Sequence, residues 1–379
     1  MKPFVRLALA LATAAGVATV PLAATATTST PTTSSTTSAT TTTAALPAVG
    51  HVFVIVYENE DATTTWDRAG QAPYLANTLR DSGVLLDQYF GTGHASLDNY
   101  ISMISGQGPN VQTQGDCQVY TNFVRLFTAT PGQAVGTGCV YPADVKTVAD
   151  QLAASGRTWR GYMQEMGQPC RHPKLNAVDD TQKAEVGDNY ATRHNPFMYF
   201  HSIIDNDASC REHVVDLDAL TTDLQSVSTT RNLTFITPDL CEDGHDAPCA
   251  DGRPGGLTSF DAFLQTWVPR ILASPAFGQD GMLVITADEG EISPTSATAC
   301  CGEGPTLNAP LPGLLGLGGG RVGALVIAPQ WVSPGTTSTQ PYNHYSLLRT
   351  VEDLFGLPYL GFAGISQQAS FGADVFNRP

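Results

Sequence analysis

The sequence predicts an α/β fold with a mainly parallel central sheet flanked by helices. Three observations carry this. Short, unbroken runs of apolar and β-branched residues recur at His51–Tyr57 (HVFVIVY), Asn232–Thr237 (NLTFIT), Met282–Thr286 (MLVIT) and Ala324–Ile327 (ALVI). They are too short for helices and lack the alternation of a half-wet sheet, so they read as strands buried on both faces. Segments with helical apolar spacing separate them, which is the pattern of a parallel sheet with crossovers. No second linker interrupts the pattern, so residues 49–379 read as one domain.

Taken in order, the chain begins with a targeting segment. Lys2 and Arg6 give a positive start, an apolar run follows from Leu7 to Leu22, and Ala24-Thr25-Ala26 offers a cleavage site, so residues 1–26 read as a signal peptide. No cysteine lies near that site, which argues against a lipoprotein signal. Residues 27–48 are dominated by Thr, Ser, Ala and Pro and read as an exported linker with nothing to bury. The strand at His51–Tyr57 opens the folded part. A helix is expected over Ala72–Ser82, and a second strand over Val84–Phe90 leads into GTGHASLDNY. There Ser96 sits at a helix start with His94 before it and Asn99 after it. Val145–Ser155 reads as helix, Thr158–Met163 as strand and Val214–Val227 as helix. Leu257–Leu272 shows helical spacing in Phe260, Phe263, Leu264 and Trp267, and His344–Phe355 closes the fold as an amphipathic helix. Gly313–Ala328 is apolar, but its glycines and Arg321 rule out a membrane span.

The formal net charge is −16, which disfavours a nucleic-acid-binding groove. The eight cysteines fit an oxidising, exported setting. Their order suggests local pairs: Cys117 with Cys139, Cys170 with Cys210, and Cys241 with Cys249. Cys300 and Cys301 are adjacent and open to other partners. No C-x-x-C pair supports a zinc cluster. The sequon at Asn232-Leu233-Thr234 falls inside a strand and is set aside.

The informative pattern is where the acids fall. The first strand ends in Glu58 and Asn59. The strand at Asn232–Thr237 runs on to Asp239, Glu242, Asp243 and His245, and Met282–Thr286 runs on to Asp288 and Glu289. In a parallel sheet these ends share one edge, where open α/β folds bind ligands. Singly, each has a plain reading. Ser96 is a helix N-cap, the acids are turn residues, His245 is satisfied by Asp243, and His344 begins a helix. Together they point to a site. Clustered carboxylates call for a divalent cation: Mg, Ca or Mn by their hard oxygen ligands, Zn or Fe if His245 and His344 join. Beside it Ser96 gains acidity as a nucleophile. The amides starting its helix would hold an anionic group. Metal, nucleophile and anion cradle describe phosphoryl transfer.

At these residues the sequence resembles the bacterial and fungal phosphoesterase family of secreted acid phosphatases and phosphatidylcholine-type phospholipases C, within the alkaline-phosphatase-like superfamily. The matching segments are VIVYEN, GHASLDNY, HNPFMYF, PDLCEDGHD, ITADEGE and NHYSLLRTVEDLFGLP, in the family's order from about His51 to Pro358. The resemblance implies that Ser96 becomes phosphorylated and that Glu58, Asn59, Asp288 and Glu289 hold the metal. It implies that Asn99 and His94 contact the phosphoryl group. His194, Asp243, His245 and His344 would line the site as further ligands, proton donors or phosphate contacts. Two departures stand out: Ala95 replaces the proline often preceding the nucleophile, and Asp98 replaces the usual second proline. The chain stops soon after the closing helix, which favours the compact acid-phosphatase-like members.

The expectation is therefore a secreted, metal-dependent phosphomonoesterase acting through a phosphoserine, with a small phosphate ester or a phospholipid as substrate. No nucleic-acid partner and no stable membrane insertion after signal cleavage are expected. The alternatives are a phospholipase C or other phosphodiesterase of the same fold, which would need a wider, apolar approach to Ser96, and a non-catalytic exported binding protein.

Overall fold

A computed structural model describes residues 46–302 and 304–378. The signal peptide and most of the Thr/Ser-rich linker fall outside the described residues. The architecture is a mixed sheet of eight strands with helices packed on it. In chain order the strands are β1 (His51–Tyr57), β2 (Val84–Leu86), β3 (Trp159–Met163), β4 (Val214–Asp216), β5 (Leu233–Thr237), β6 (Gly281–Ala287), β7 (Ala324–Ile327) and β8 (Thr336–Ser338). Across the sheet they run β8-β2-β7-β6-β1-β5-β3-β4. Only β7 is antiparallel to its neighbours, β2 and β6.

The most apolar runs occupy the centre. Every residue of β1 and of β6 is buried. Burying one Val, Ile or Phe side chain contributes roughly 1.5–3 kcal/mol, so these strands are where the sheet gains most. β1 pairs in parallel with β5 on one side, Ile55 opposite Ile236, and with β6 on the other, Tyr57 opposite Ala287. The ladder continues one step past β1 and β6, where Asp288 N donates to Tyr57 O (2.8 Å), and the loop after β5 returns to β1 where Glu58 N donates to Asp243 O (2.8 Å). This register carries the three expected acidic strand ends to one edge.

Four helices matter for the site and its support: α1 (Ser96–Ser105), α2 (Val148–Ala154), α3 (Gly256–Leu272) and α4 (His344–Phe355). α2 is shorter than Val145–Ser155 because Thr147 starts it with a capping box to Asp150. α4 begins behind Asn343, whose side chain accepts from Ser346 N, and ends at Gly356 with φ 66°.

Several expectations are corrected. Ala72–Ser82 is a wide π-type turn over Tyr74–Leu79 followed by a 3₁₀ turn, pinned by Asp261, whose carboxylate accepts from Tyr74 N and Leu75 N. Val84–Phe90 is broken after Leu86, and Tyr89–Phe90 pairs instead with Tyr342–Asn343. Val214–Val227 is not a helix at its start: Val214–Asp216 pairs beside β3, and only short helical turns follow over 217–223. The three expected disulfides are present, and Cys300 is bonded to its neighbour Cys301.

Candidate active site

Ser96 is the first residue of α1 rather than its cap. Ala95 holds the extended cap position (φ −153°, ψ 134°). The Ser96 hydroxyl is free of capping because a carboxylate lies across from it: Oγ donates to Glu58 Oε2 at 2.6 Å, a charge-assisted bond stronger than a neutral one. Glu58 is buried and also receives Tyr100 OH on Oε1 (2.6 Å) and Asn59 Nδ2 on Oε2 (3.1 Å). Burial alone would raise its pKa, but His194 and the hydroxyls of Ser96 and Tyr100 outweigh that and hold it at about 2. Glu58 is therefore the ionised member of the cluster, held by the Ser96, Tyr100 and Asn59 donors.

Asn59 turns the chain at the end of β1 with φ 55°, a left-handed conformation uncommon for a residue with a side chain. The turn aims its N–H at Asp288 Oδ1 (3.0 Å), which also accepts from Glu289 N (2.7 Å). Asp243 receives His245 N on Oδ1 (3.0 Å). Burial and the Glu58 charge push the carboxyls of Asp243 and Asp288 well up. Asp243 Oδ2 and Asp288 Oδ2 are buried with no hydrogen-bond partner, as are both ring nitrogens of His194. The ring lies between acids, Nε2 3.3 Å from Glu58 Oε2 and Nδ1 3.8 Å from Asp243 Oδ2, and stacks on Tyr100 with centroids 5.4 Å apart.

Buried oxygens without donors, set around an ionised Glu58, are a donor set that suits a hard divalent cation. Among the described residues, no three ligating atoms of these acids and histidines lie within 4.8 Å of one another. The single trio that does is Cys241, Cys249 and Asp251, whose sulfurs are spent in a disulfide.

Glu289, next in the chain to Asp288, faces His94 Nδ1 (3.4 Å) and receives Asn99 Nδ2 (3.2 Å). Burial, then the charge of Asp288, pushes its carboxyl well up. Burial brings His94 down to about 4. Asn99 is consumed inside the loop that carries Ser96. Its Oδ1 accepts from Thr92 N (2.7 Å) and Gly93 N (3.0 Å), and Nδ2 donates also to Gly93 O (3.0 Å). These bonds shape the loop. His344 is fully buried, with Nδ1 3.1 Å from Tyr89 OH and Nε2 2.5 Å from the Asp288 backbone carbonyl. It positions the end of β6. Asp98 is buried with both oxygens unpartnered and packs against Gly93, where any Cβ would collide with it. Asp239 closes a turn by accepting from Cys241 N and Glu242 N, the plain role of an acid after a strand.

Ser96 opens onto a cleft of about 540 Å³ lined also by Asn59, His94, Asp116, Arg193, His245 and Glu289. The expected anion cradle at the helix start is partly taken: Leu97 N donates to Asp116 Oδ1 (3.0 Å). His245 is at the mouth, with its side chain 54% exposed and Nδ1 3.7 Å from Asp246. Three participants escaped the sequence reading. Tyr100 and Asp116 have no local signature, although Tyr100 lies within GHASLDNY. Arg193, directly before His194, contributes the one Lys or Arg side chain lining the cleft among the described residues.

A model of the Phosphoesterase family matches residues 52–358. The chain is 24% identical over 283 residues to a phosphate-repressible acid phosphatase of Penicillium chrysogenum, covering 75% of this chain and 54% of that one. It is 24% identical over 320 residues to a phosphatidylinositol-3-phosphatase of Mycobacterium tuberculosis, covering 84% and 81%. The chain thus spans about half the length of the fungal acid phosphatases it matches. Among solved structures, an alkaline-phosphatase-superfamily protein from Vibrio parahaemolyticus superposes with a TM-score of 0.50 at 12% identity, over 86% of this chain and 72% of that one.

Proposed function

The chain belongs to the phosphoesterase family, and from that membership and the setting of Ser96 we propose that it hydrolyses phosphate monoesters through a phosphoserine. The observation that carries this is the Ser96 hydroxyl, at the start of α1, donating to an ionised Glu58 at 2.6 Å while facing an open cleft. In the first step the Ser96 Oγ–P bond forms as the bond from phosphorus to the substrate alcohol breaks. The hydroxyl proton leaves along the hydrogen bond to Glu58 Oε2. In the second, a bond from the water oxygen to phosphorus forms as the Oγ–P bond breaks; Ser96 Oγ takes back the proton left on Glu58, and the water's proton goes to the histidine that protonated the alcohol. Arg193 holds the phosphoryl oxygens with its free donors. His245, at the cleft mouth, is placed to pass a proton to the departing alcohol.

Glu58, Asp243 and Asp288 would hold a divalent cation, with Asn59 and Glu289 as the neighbouring ligands. Such an ion would supply positive charge against the developing oxyanions. The four disulfides support an exported setting. Among the described residues no helix is long and apolar enough to cross a membrane.

The test compares Ser96→Ala and Asp288→Ala with wild type on nitrophenyl phosphate, together with acid-quench peptide mapping for phosphoserine. Loss of turnover in both variants and a phosphorylated Ser96 peptide in the wild type are expected. Full turnover in either variant overturns the reading.

A further inference from the structure

The stretch 304–320, GPTLNAPLPGLLGLGGG, contains no charged residue, and the mechanism leaves it unused. It is anchored to the catalytic loops. Gly91 N, at the start of the nucleophile loop, donates to Gly320 O (2.9 Å), and Gly319 N donates back to Gly91 O (2.9 Å). Gly290 N, next to Glu289, donates to Gly319 O (2.8 Å). Gln114, on the cleft wall, donates to Leu311 O (2.7 Å) and Pro312 O (3.0 Å). Between these ties the chain forms neither helix nor strand and turns its leucines outward: Leu307 is 71% exposed, Leu311 51%, Leu315 54% and Leu317 46%. Leu314 lines the catalytic cleft together with exposed Ile292, so this apolar surface continues into the site.

Single exposed leucines are ordinary. Five within residues 307–317, on a loop fastened to a catalytic site, mark a surface that meets something apolar. The loop offers no charge with which to pair a specific protein or anionic partner. Glu291 at the cleft and the net charge of −16 repel an anionic surface. What remains compatible is an uncharged or zwitterionic layer.

We propose that loop 304–320 docks this protein on a neutral or zwitterionic lipid–water interface, with its leucines in the apolar layer and the cleft mouth beside them. The mechanism read for Ser96 sets only what happens once a phosphate ester enters the cleft, and docking is measured separately. The nearby hairpin Val124–Thr137, tied to Asn308 through Ala134 O (2.7 Å) and Gly136 N (2.8 Å), carries further exposed apolar groups in Leu126 and Phe127.

The test is flotation of the full chain with phosphatidylcholine vesicles, with and without added phosphatidylglycerol at low salt. Wild type is compared with the triple variant Leu307→Ser, Leu315→Ser, Leu317→Ser, whose positions lie outside the catalytic cleft. Wild type floats with phosphatidylcholine and less with phosphatidylglycerol. The triple variant partitions at least about tenfold more weakly, given the apolar area it loses, and both turn over nitrophenyl phosphate equally. If the triple variant melts early, Leu315→Asp alone replaces it. Failure of wild type to float, or equal flotation of both proteins, overturns the proposal. So does a concentration-dependent dimer in sedimentation velocity that the variant abolishes, since the occupant is then a second copy. A wild type that floats but hydrolyses no phosphate ester sinks the phosphatase reading alone.

Discussion

Replacing Arg193 with methionine removes the guanidinium from the cleft that contains Ser96 while keeping much of the side chain's volume. Arg193 Nη1 donates to Gln182 O at 3.1 Å, one of the five N–H donors a guanidinium carries. Burial works against its charge, and Asp116, Glu58 and Asp243 restore it. A guanidinium's remaining donors can grip two oxygens of one phosphoryl group as a fork, which is the role proposed for Arg193. A hydrogen bond to a charged group contributes roughly 1.5–3 kcal/mol, and each ~1.4 kcal/mol is a factor of ten. Arg193→Met should therefore lower kcat/KM for nitrophenyl phosphate by about 10- to 150-fold. It should raise the inhibition constant of inorganic phosphate by a similar factor. Arg193→Lys keeps a point charge without the fork and should recover only part of the loss. Thermal melting controls for folding, and a fall beyond about 5 °C would mean a structural role dominates. An Arg193→Met protein that melts normally and binds inorganic phosphate like the wild type refutes the assignment.

Two further outcomes follow from the geometry. His245→Gln should cost about 10²-fold on alkyl phosphates, whose alcohol must be protonated as it leaves, and little on nitrophenyl phosphate; equal losses on both substrates exclude a proton-donor role. Glu352, in α4, is fully buried, accepts Leu360 N on Oε1 (2.9 Å) and leaves Oε2 unpartnered. Burial raises its carboxyl to about 9. A raised acid stabilises the fold most below its unfolded value near 4.5, and that contribution fades as pH climbs through 9. Glu352→Gln should therefore melt progressively higher than wild type from pH 5 to pH 9, by about 1–3 kcal/mol at the top of the range; a difference that does not change with pH counts against this.

The sheet centre was legible because β1, β5 and β6 are buried on both faces, so the unbroken apolar run is itself the signal. The edge was harder to read. Val214–Asp216 is a three-residue strand, too short to show a period, and the leucines at 217, 220 and 224 downstream suggested a helix. The acidic strand ends could be placed together from topology alone, as could Ser96. What sequence could not separate was which polar groups face the cleft and which are spent on the fold. Asn99 and His344 lie in the expected motifs and also bond to the fold: Asn99 ties the loop together and reaches Glu289, and His344 joins Tyr89 to the Asp288 carbonyl. Arg193 was missed because a lone arginine in an irregular segment has no pattern until the fold brings Asp116 and Glu58 beside it.

The hydrogen bonds linking Asp288 N to Tyr57 O and Glu58 N to Asp243 O have a consequence for how activity can be lost. Asp288 is fastened to the ladder that pairs β1 with β6, and Asp243 is tied by its carbonyl to Glu58, the residue just after β1. A slip of one residue in β1 would turn Glu58 to the opposite face of the sheet and expose an entire row of core side chains. Assembly of the sheet and assembly of the acid cluster are thus one event. A partly denatured sample should contain competent molecules and inert ones, with no population of slow ones. Turnover per native molecule should stay constant across a denaturant titration while the number of native molecules falls.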